Sequence, residues 1–300
     1  MTASAWGGAA ILGDPDVDVW NHVWGYWFVA DALANGQLPW RTDWLGAPGG
    51  GTLFFVDLPG AVLAAPITWL SGAAQAYDLV LTARIAAAGL FAHLLCVALA
   101  GEGRHAWVAG VAYATTPFLF CELANGISEV AATGWIPAAL WAAVRAFETR
   151  EPRRWALLGA IGGACVWANF YYAATAGLLV AAWWAARSRD VRGSAIAGVV
   201  ALAIGGPAFA AMRASVTAED ALVRRSSDLN AQLVAHNAVD PRVYVTPGDF
   251  QSVDLAKVYG EPFRHTGYLR WSVLGLALLA VGRRRDLRVP AGVAVLSLAL

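Results

Sequence analysis

Three carboxylates stand within five positions near the start of the chain, at Asp14, Asp16 and Asp18. A group this dense can keep one proton near neutral pH, because neighbouring negative charges oppose full ionisation. It can also bind a divalent cation such as Mg²⁺ or Mn²⁺. His22 follows Asp18 by four residues, so the two side chains share one face if the segment is helical. The alternative is a set of solvated acids at the start of a capped helix.

The segment after these acids, VWNHVWGYWFVADALANG, is predicted to form a helix capped by Asp16 or Asp18. Aromatic rings recur in it at helical spacing, at Trp20, Trp24, Trp27 and Phe28. We expect this helix to lie along a membrane surface with its rings in the lipid. The Pro- and Gly-rich stretch 38–51 then predicts an irregular loop, whose glycine amides either cradle a phosphate or form a plain turn.

Two polar side chains, Arg84 and His93, interrupt the most apolar segment of the chain, residues 76–99. Charged groups inside a membrane are costly and are therefore candidates for function. Arg84 is placed to reach a lipid phosphate or one of the acids, or else to pair structurally with a neighbouring helix. His93 lies deeper, and we interpret it as a neutral, hydrogen-bonded packing residue.

Further polar residues stand at connections between later apolar segments, and we expect them to converge on the face that carries the first acids. These further candidate site residues are Glu122, Asn125, Glu129, Tyr171, Tyr172 and His265. The three cysteines lie far apart, so they indicate neither a disulfide framework nor a metal site.

Composition defines the class of protein that must position these groups. Hydrophobic residues make up 58% of the 300 and charged residues 14%, whereas soluble domains carry roughly 25% charged residues. The predicted fold is all-α, a polytopic transmembrane helical bundle. The predicted spans are 76–99, 105–120, 130–147, 154–169, 171–186, 193–212 and 268–281, with another that opens near 289. The proline-containing stretch 53–71 is predicted to be re-entrant or interfacial.

Arginine predicts the orientation of the bundle. The connections 100–104, 148–153, 187–192 and 282–288 are rich in arginine, whereas 121–129 and the turn at Asn169–Phe170 have no lysine or arginine. Under the positive-inside rule the arginine-rich connections face the cytoplasm. The outer set is then 1–52, 121–129 and the long polar segment 213–267. No basic stripe indicates nucleic-acid binding.

The whole chain, 1–300, is predicted to be a single transmembrane domain. It consists of a first outer loop with an interfacial helix (1–52), a helical bundle (53–212), a long outer loop (213–267) and further spans (268–300). Residues 3–13 are apolar but too short to cross a membrane, and the chain stops inside another apolar run. We therefore expect a fragment, or a protein whose first helix begins upstream of Met1.

The order of these features resembles the GT-C superfamily of polytopic membrane glycosyltransferases, and more narrowly its uncharacterised bacterial members. The resemblance is carried by an acidic motif, an interfacial helix, the pattern Leu38-Pro39-Trp40 followed by Thr42, Leu45 and Pro48-Gly49-Gly50, and many spans. The layout covers most of 11–300, and the residue pattern covers 13–60, 122–129, 169–172 and 265–268. The chain departs from the family in its truncated first helix and in having no C-terminal soluble domain.

This resemblance implies transfer of a sugar from a polyprenyl-phosphate donor to an acceptor on the outer face of the bacterial cytoplasmic membrane. The family's acid maps onto Asp14, Asp16 and Asp18, with Asp14 and Asp18 favoured. The carboxylate would accept the acceptor's proton, and Arg84, His22 or a bound cation would stabilise the leaving phosphate. The candidate site residues of the later connections would contact substrate.

Two alternatives stay open. A transporter or flippase for a lipid-linked saccharide would also expose polar groups in a membrane, although no internal repeat is visible in the sequence. A non-catalytic membrane protein of the same fold is the other, since a fold does not fix a function.

Overall fold

The computed structural model describes residues 10–46, 48–222, 228, 231, 244–245, 266–267 and 269–283. These residues are mostly helical. The helices are α1 (Val19–Ala34), α2 (Leu58–Ser71), α3 (Ala73–Ala100), α4 (Arg104–Ala114), α5 (Pro117–Asn125), α6 (Trp135–Thr149), α7 (Pro152–Ala168), α8 (Phe170–Arg187), α9 (Val191–Thr217) and α10 (Trp271–Arg283). Two short strands, β1 (Arg41–Thr42) and β2 (Gly51–Thr52), pair antiparallel in the loop between α1 and α2.

Three helical segments are long and apolar enough to cross a membrane: Ala73–Ala100, Arg104–Asn125 and Val191–Thr217. Only 6% of the most apolar window of α3 and 11% of that of α9 are buried inside the protein. Helices of soluble proteins bury their apolar face, so surfaces of this kind require a nonaqueous surrounding. The prediction of a helical protein with segments fit to cross a bilayer is confirmed at this level.

Three predicted segments differ in detail from the helices that form, and one of them, 130–147, is helical only from Trp135. The segment 105–120 is broken at Thr115–Thr116 between α4 and α5, because Pro117 cannot continue the hydrogen bonding of α4. The Thr116 side chain accepts a hydrogen bond from the Leu119 amide and caps α5. The stretch 53–71 becomes helical only from Leu58, with Pro66 inside the helix.

The first helix, α1, packs on α2 and α3 through a stripe of side chains three and four residues apart. This stripe consists of Val19, His22, Tyr26 and Val29, all buried. Gly25 brings the helix close to its neighbour, since a Cβ there would lie 2.0 Å from the ring of Phe55. The sequence indicated an aromatic surface helix. In the structure one face of that helix is also a core face, and it carries His22 and Tyr26 inward.

The second half of the bundle is centred on α7, which packs on α6, α8 and α9. Trp155 is 1% exposed and lies at the start of α7. Gly159 allows the close approach of α9, because a Cβ there would lie 2.3 Å from the carbonyl oxygen of Ala197.

The connections of the predicted outer set, which include the arginine-free connections 121–129 and 169–170, contact one another. The Asp18 amide donates to the carbonyl of Asn125 at 3.4 Å, and the Asn169 side chain donates to the carbonyl of Glu129 at 3.2 Å. After α9, the Asp220 carboxylate accepts a hydrogen bond from the Thr52 hydroxyl at 2.8 Å. The ends of α5, α7 and α9 and the first loop are therefore gathered at one end of the bundle.

Connections with arginine lie at the other ends of the same helices. The 15 residues of α6 separate the connection 126–134 from the turn 150–151, a length of about 22 Å. Arginine side chains at these ends are largely solvent-exposed, namely Arg104, Arg150, Arg153, Arg187, Arg189 and Arg192. Which of these ends faces the cytoplasm stays a prediction.

We expect Gly159→Ala to destabilise the protein by about 1–3 kcal/mol, because the new methyl group would overlap a backbone oxygen of α9. Gly162→Ala, one turn later on α7, meets nothing within 4 Å and should instead stabilise the helix by up to about 1 kcal/mol. Thermal unfolding in detergent micelles measures both. Equal shifts for the two variants would contradict the packing of α7 on α9.

Candidate functional site

A buried ion pair joins α2 to α3. Asp57 precedes the first residue of α2 and its side chain is 0% exposed, whereas Arg84 on α3 is 12% exposed. Arg84 Nη2 donates to Asp57 Oδ1. Tyr26 Oη and Ser128 Oγ both donate to Asp57 Oδ2, at 2.7 Å and 2.6 Å. Three donors from three elements thus stabilise a carboxylate that would otherwise be costly to bury.

His22 extends this network towards the connection 126–134. Its Nδ1 lies 3.0 Å from Ser128 Oγ, and its Nε2 lies 3.3 Å from Glu129 Oε2. Because the Ser128 hydroxyl donates its proton to Asp57, Nδ1 must carry the proton that reaches Ser128. Nε2 of the neutral ring is then an acceptor, so a hydrogen bond with Glu129 would need one further proton. Glu129 Oε2 lies beside Nε2 as a charge partner only, since this buried oxygen has no hydrogen-bond partner among the described residues.

Burial shifts the proton affinities of this pair. It raises the pKa of Glu129 from its usual value of 4.5 to about 7; a hydrogen bond from the backbone and the charge of Arg84 oppose this rise, whereas the charges of Asp57 and Asp18 add to it. It lowers the pKa of His22, although the charges of Asp57 and Asp18 oppose that shift. Both effects disfavour charge, so a neutral acid beside a neutral imidazole is the form that burial stabilises below pH 7.

The three predicted aspartates do not gather into one cluster. Asp14 accepts a hydrogen bond from the Asp16 amide at 3.1 Å, and Asp16 is exposed. Asp18 is the N-cap residue of α1. Its carboxylate accepts a hydrogen bond from the Asn21 side chain at 2.7 Å and none from the backbone amides of the first turn. Asp18 acts on His22 and Glu129 through its charge, which places it beside the network.

Some of the other predicted site residues are bonded within the protein, whereas others are exposed or lie outside the described residues. Glu122 and Asn125 are buried and bonded to each other at the end of α5. Tyr172 donates its hydroxyl to the carbonyl of Val130, which joins α8 to the connection 126–134. Tyr171 is 81% exposed and points away from this group. His265 lies outside the described residues.

Sequence reasoning missed Asp57, Tyr26 and Ser128 as site residues. Asp57 counted only as one of the acids before the first clear span, and Tyr26 only as part of an aromatic helix. A signal was available for Asp57, since it is a lone acid inside the apolar stretch 53–71 and such acids are seldom buried without a partner. Ser128 carries no comparable signal.

An apolar groove opens beside the ion pair. It has a volume of about 390 Å³ and lies between α2, α3 and the start of α6, with Leu63, Phe91 and Trp135 among its lining residues. Among the described residues that line it, Arg84 is the one that carries a charge. Arg84 Nη1 is buried and has no hydrogen-bond partner in the described part of the chain. The groove therefore combines an apolar track with one unsatisfied cationic donor.

Among the described residues, no group of three His, Cys, Asp or Glu side chains lies close enough together to hold a metal ion. The cation site at Asp14, Asp16 and Asp18 stays a prediction. Comparison with known proteins adds no neighbour, since no family model, curated protein or solved structure matches the chain.

We expect Asp57→Asn to destabilise the protein by about 3–5 kcal/mol, because the buried guanidinium of Arg84 loses its counter-charge. The double variant Asp57→Leu/Arg84→Met should recover only part of this loss, because it removes the uncompensated charge but leaves the hydroxyls of Tyr26 and Ser128 without an acceptor. Asp43→Asn, an exposed control, should change stability by less than about 0.5 kcal/mol. Denaturation in micelles measures all three, and an unchanged Asp57→Asn would contradict the buried pair.

We expect Glu129 to titrate near pH 7. Folded Glu129 keeps its proton up to about pH 7, whereas the unfolded residue loses it near 4.5. The folded state thus binds more protons in that window, and its stability should fall as pH rises from 4.5 through 7.

Glu129→Gln should flatten this part of the stability profile and remove a carboxylic-acid band from the infrared spectrum recorded below pH 7. Glu151→Gln is the control, because a hydrogen bond from Arg153 holds the pKa of Glu151 below its usual value. An unaltered profile in Glu129→Gln would exclude Glu129 as the titrating group.

Proposed function

We propose that the chain is a membrane glycosyltransferase that moves a sugar from a polyprenyl-phosphate donor to an acceptor hydroxyl. One observation carries the proposal. Arg84 lines an apolar groove and keeps one buried Nη1 atom without a partner in the described part of the chain. A donor of this class has a long apolar tail and an anionic phosphate, and the groove offers a matching surface to each.

The position of the polar network at one end of the bundle supports the same proposal. The network of Asp57, His22 and Glu129 lies at the end of the bundle that collects the arginine-free connections. In a multi-pass arrangement obeying the positive-inside rule, that end faces away from the cytoplasm. The proposed reaction therefore takes place at the outer face of the bacterial cytoplasmic membrane, where lipid-linked donors replace nucleotide sugars. A GT-C-like fold belongs to the same proposal.

The proposed step needs one proton acceptor and one phosphate partner. The acceptor oxygen attacks the anomeric carbon, and the bond between that carbon and the phosphate oxygen breaks. The proton of the acceptor hydroxyl passes to a carboxylate, and polyprenyl phosphate leaves with the bonding electrons. Arg84 stabilises the charge that develops on the leaving phosphate. A divalent cation held by the acidic motif, as the sequence predicts, would share this role with Arg84.

Asp18 is the favoured proton acceptor within the acidic motif. It stands one turn before His22 on α1, and its charge acts on both His22 and Glu129. Asp14 is engaged by the Asp16 amide, and Asp16 points into solvent. Glu129 and His22 lie next along the network and can hold the released proton. Glu122, Asn125, Tyr171, Tyr172 and His265 stay predicted substrate contacts.

We expect Asp18→Asn to reduce sugar transfer at least 100-fold, the range typical of removing a general base, while the protein stays inserted and folded. The assay incubates the purified full chain with polyprenyl-phosphate sugars and measures released polyprenyl phosphate by mass spectrometry. Asp31→Asn, near the end of the same helix, is the matched control and should retain activity. Full activity in both Asp14→Asn and Asp18→Asn would remove the acidic motif from the mechanism.

Arg84→Ala should weaken donor binding at least tenfold, whereas Arg84→Lys, which keeps the charge, should lose less. Binding of a fluorescent polyprenyl-phosphate sugar to the full chain in micelles gives both values. If Arg84→Ala binds the donor with unchanged affinity, Arg84 has only a structural role. Movement of the labelled donor between the leaflets of a vesicle without its cleavage would instead identify a flippase.

A further inference from the structure

A second apolar cavity, of about 410 Å³, lies on the opposite side of α7 from the ion pair network. Helices α8 and α9 both pack on α7, and the cavity is the space left between them, closed at one flank by α6. Its lining runs along α7 from Trp155 to Cys165, ten helical steps that span about 15 Å. The cavity is therefore long and narrow, and it follows the bundle axis.

Three glycines create this space. Gly162, Gly177 and Gly198 come from α7, α8 and α9, all line the cavity, and a Cβ at each would meet nothing within 4 Å. Glycine inside a helix costs about 1 kcal/mol relative to alanine, and here no close helix contact requires it. Gly177 and Gly198 are exposed, so the cavity opens sideways on the surface between α8 and α9.

One end of the cavity is polar and basic. Trp155 lines that end and is 1% exposed, yet its indole N–H has no hydrogen-bond partner among the described residues. Arg154 precedes it, and Arg192 stands beside Gly193, which lies against the Trp155 ring. The acids at this end are engaged, Glu151 by Arg153 at 2.6 Å and Asp190 by the Gly193 amide at 2.9 Å.

We propose that this cavity binds one acyl chain of an anionic phospholipid from the leaflet on the arginine side. The acyl chain lies over the glycines, and the exposed Arg192 at the basic end contacts the headgroup phosphate. A helix with its side chains is about 10 Å wide, so 15 Å of it fills about 1,200 Å³, roughly three times the cavity. A helix would thus cover the opening without entering it. The proposal goes beyond sugar transfer and does not depend on it.

Native mass spectrometry of the full chain in micelles tests this site, with phosphatidylglycerol and phosphatidylcholine as the two probes. We expect one phosphatidylglycerol to be retained, and the neutral lipid to be retained at least tenfold less. Gly177→Leu/Gly198→Leu fills the cavity and should lower phosphatidylglycerol retention at least tenfold. Gly206→Leu is the matched control on α9, since its Cβ also meets open space but outside the cavity. Equal retention in the double variant and the control, or of the two lipids, would overturn the proposal.

A second measurement on the unmodified chain covers the case in which the double variant fails to fold. Phosphatidylglycerol with a photoreactive group in its acyl chain is crosslinked to the protein, and the labelled peptides are sequenced. We expect labels within 158–165, 176–181 and 197–201. Labels confined to other parts of the chain would show that this cavity is not the lipid site.

Discussion

The buried ion pair between Asp57 and Arg84 constrains how the first three helices meet. Asp57 is fixed by the start of α2 and Arg84 by the middle of α3, and their contact sets the depth at which one helix stands against the other. Tyr26 then brings α1 to the same carboxylate. In a low-dielectric surrounding an unpaired charge is far costlier than a lost apolar contact, so this pair determines the arrangement more strongly than the apolar packing around it.

The ion pair also determines which groups of the polar network donate hydrogen bonds and which accept them. Asp57 is an acceptor, so Tyr26 and Ser128 must point their hydroxyl protons towards it. Ser128 is then left to accept from His22, which leaves Nε2 of the ring to face Glu129. One carboxylate thereby selects a histidine tautomer two contacts away. Glu129 Oε2 and Arg84 Nη1 are the buried atoms of the network that keep no hydrogen-bond partner among the described residues.

The helices of the bundle could be predicted from hydropathy because each apolar segment must bond its own backbone, but the break at Pro117 and the starts at Leu58 and Trp135 required local detail. The gathering of the arginine-free connections also followed from alternation of charge. The network itself did not follow, because Asp57, Tyr26 and Ser128 are distant in sequence and meet only through packing. Hydrophobic periodicity identifies a face of α1, but it does not say that His22 and Tyr26 of that face meet a buried carboxylate.

The contacts of Asp220 have a consequence for the order in which the chain can fold. Thr52 and Arg41 of the first loop bind this residue, which follows α9 and stands 168 and 179 positions later. During synthesis the hairpin of β1 and β2 must therefore wait until α9 has been made before it gains these partners. Closing so long a loop is slow compared with forming local helix pairs. The loop beside the network therefore gains these two contacts only after α9 has been made.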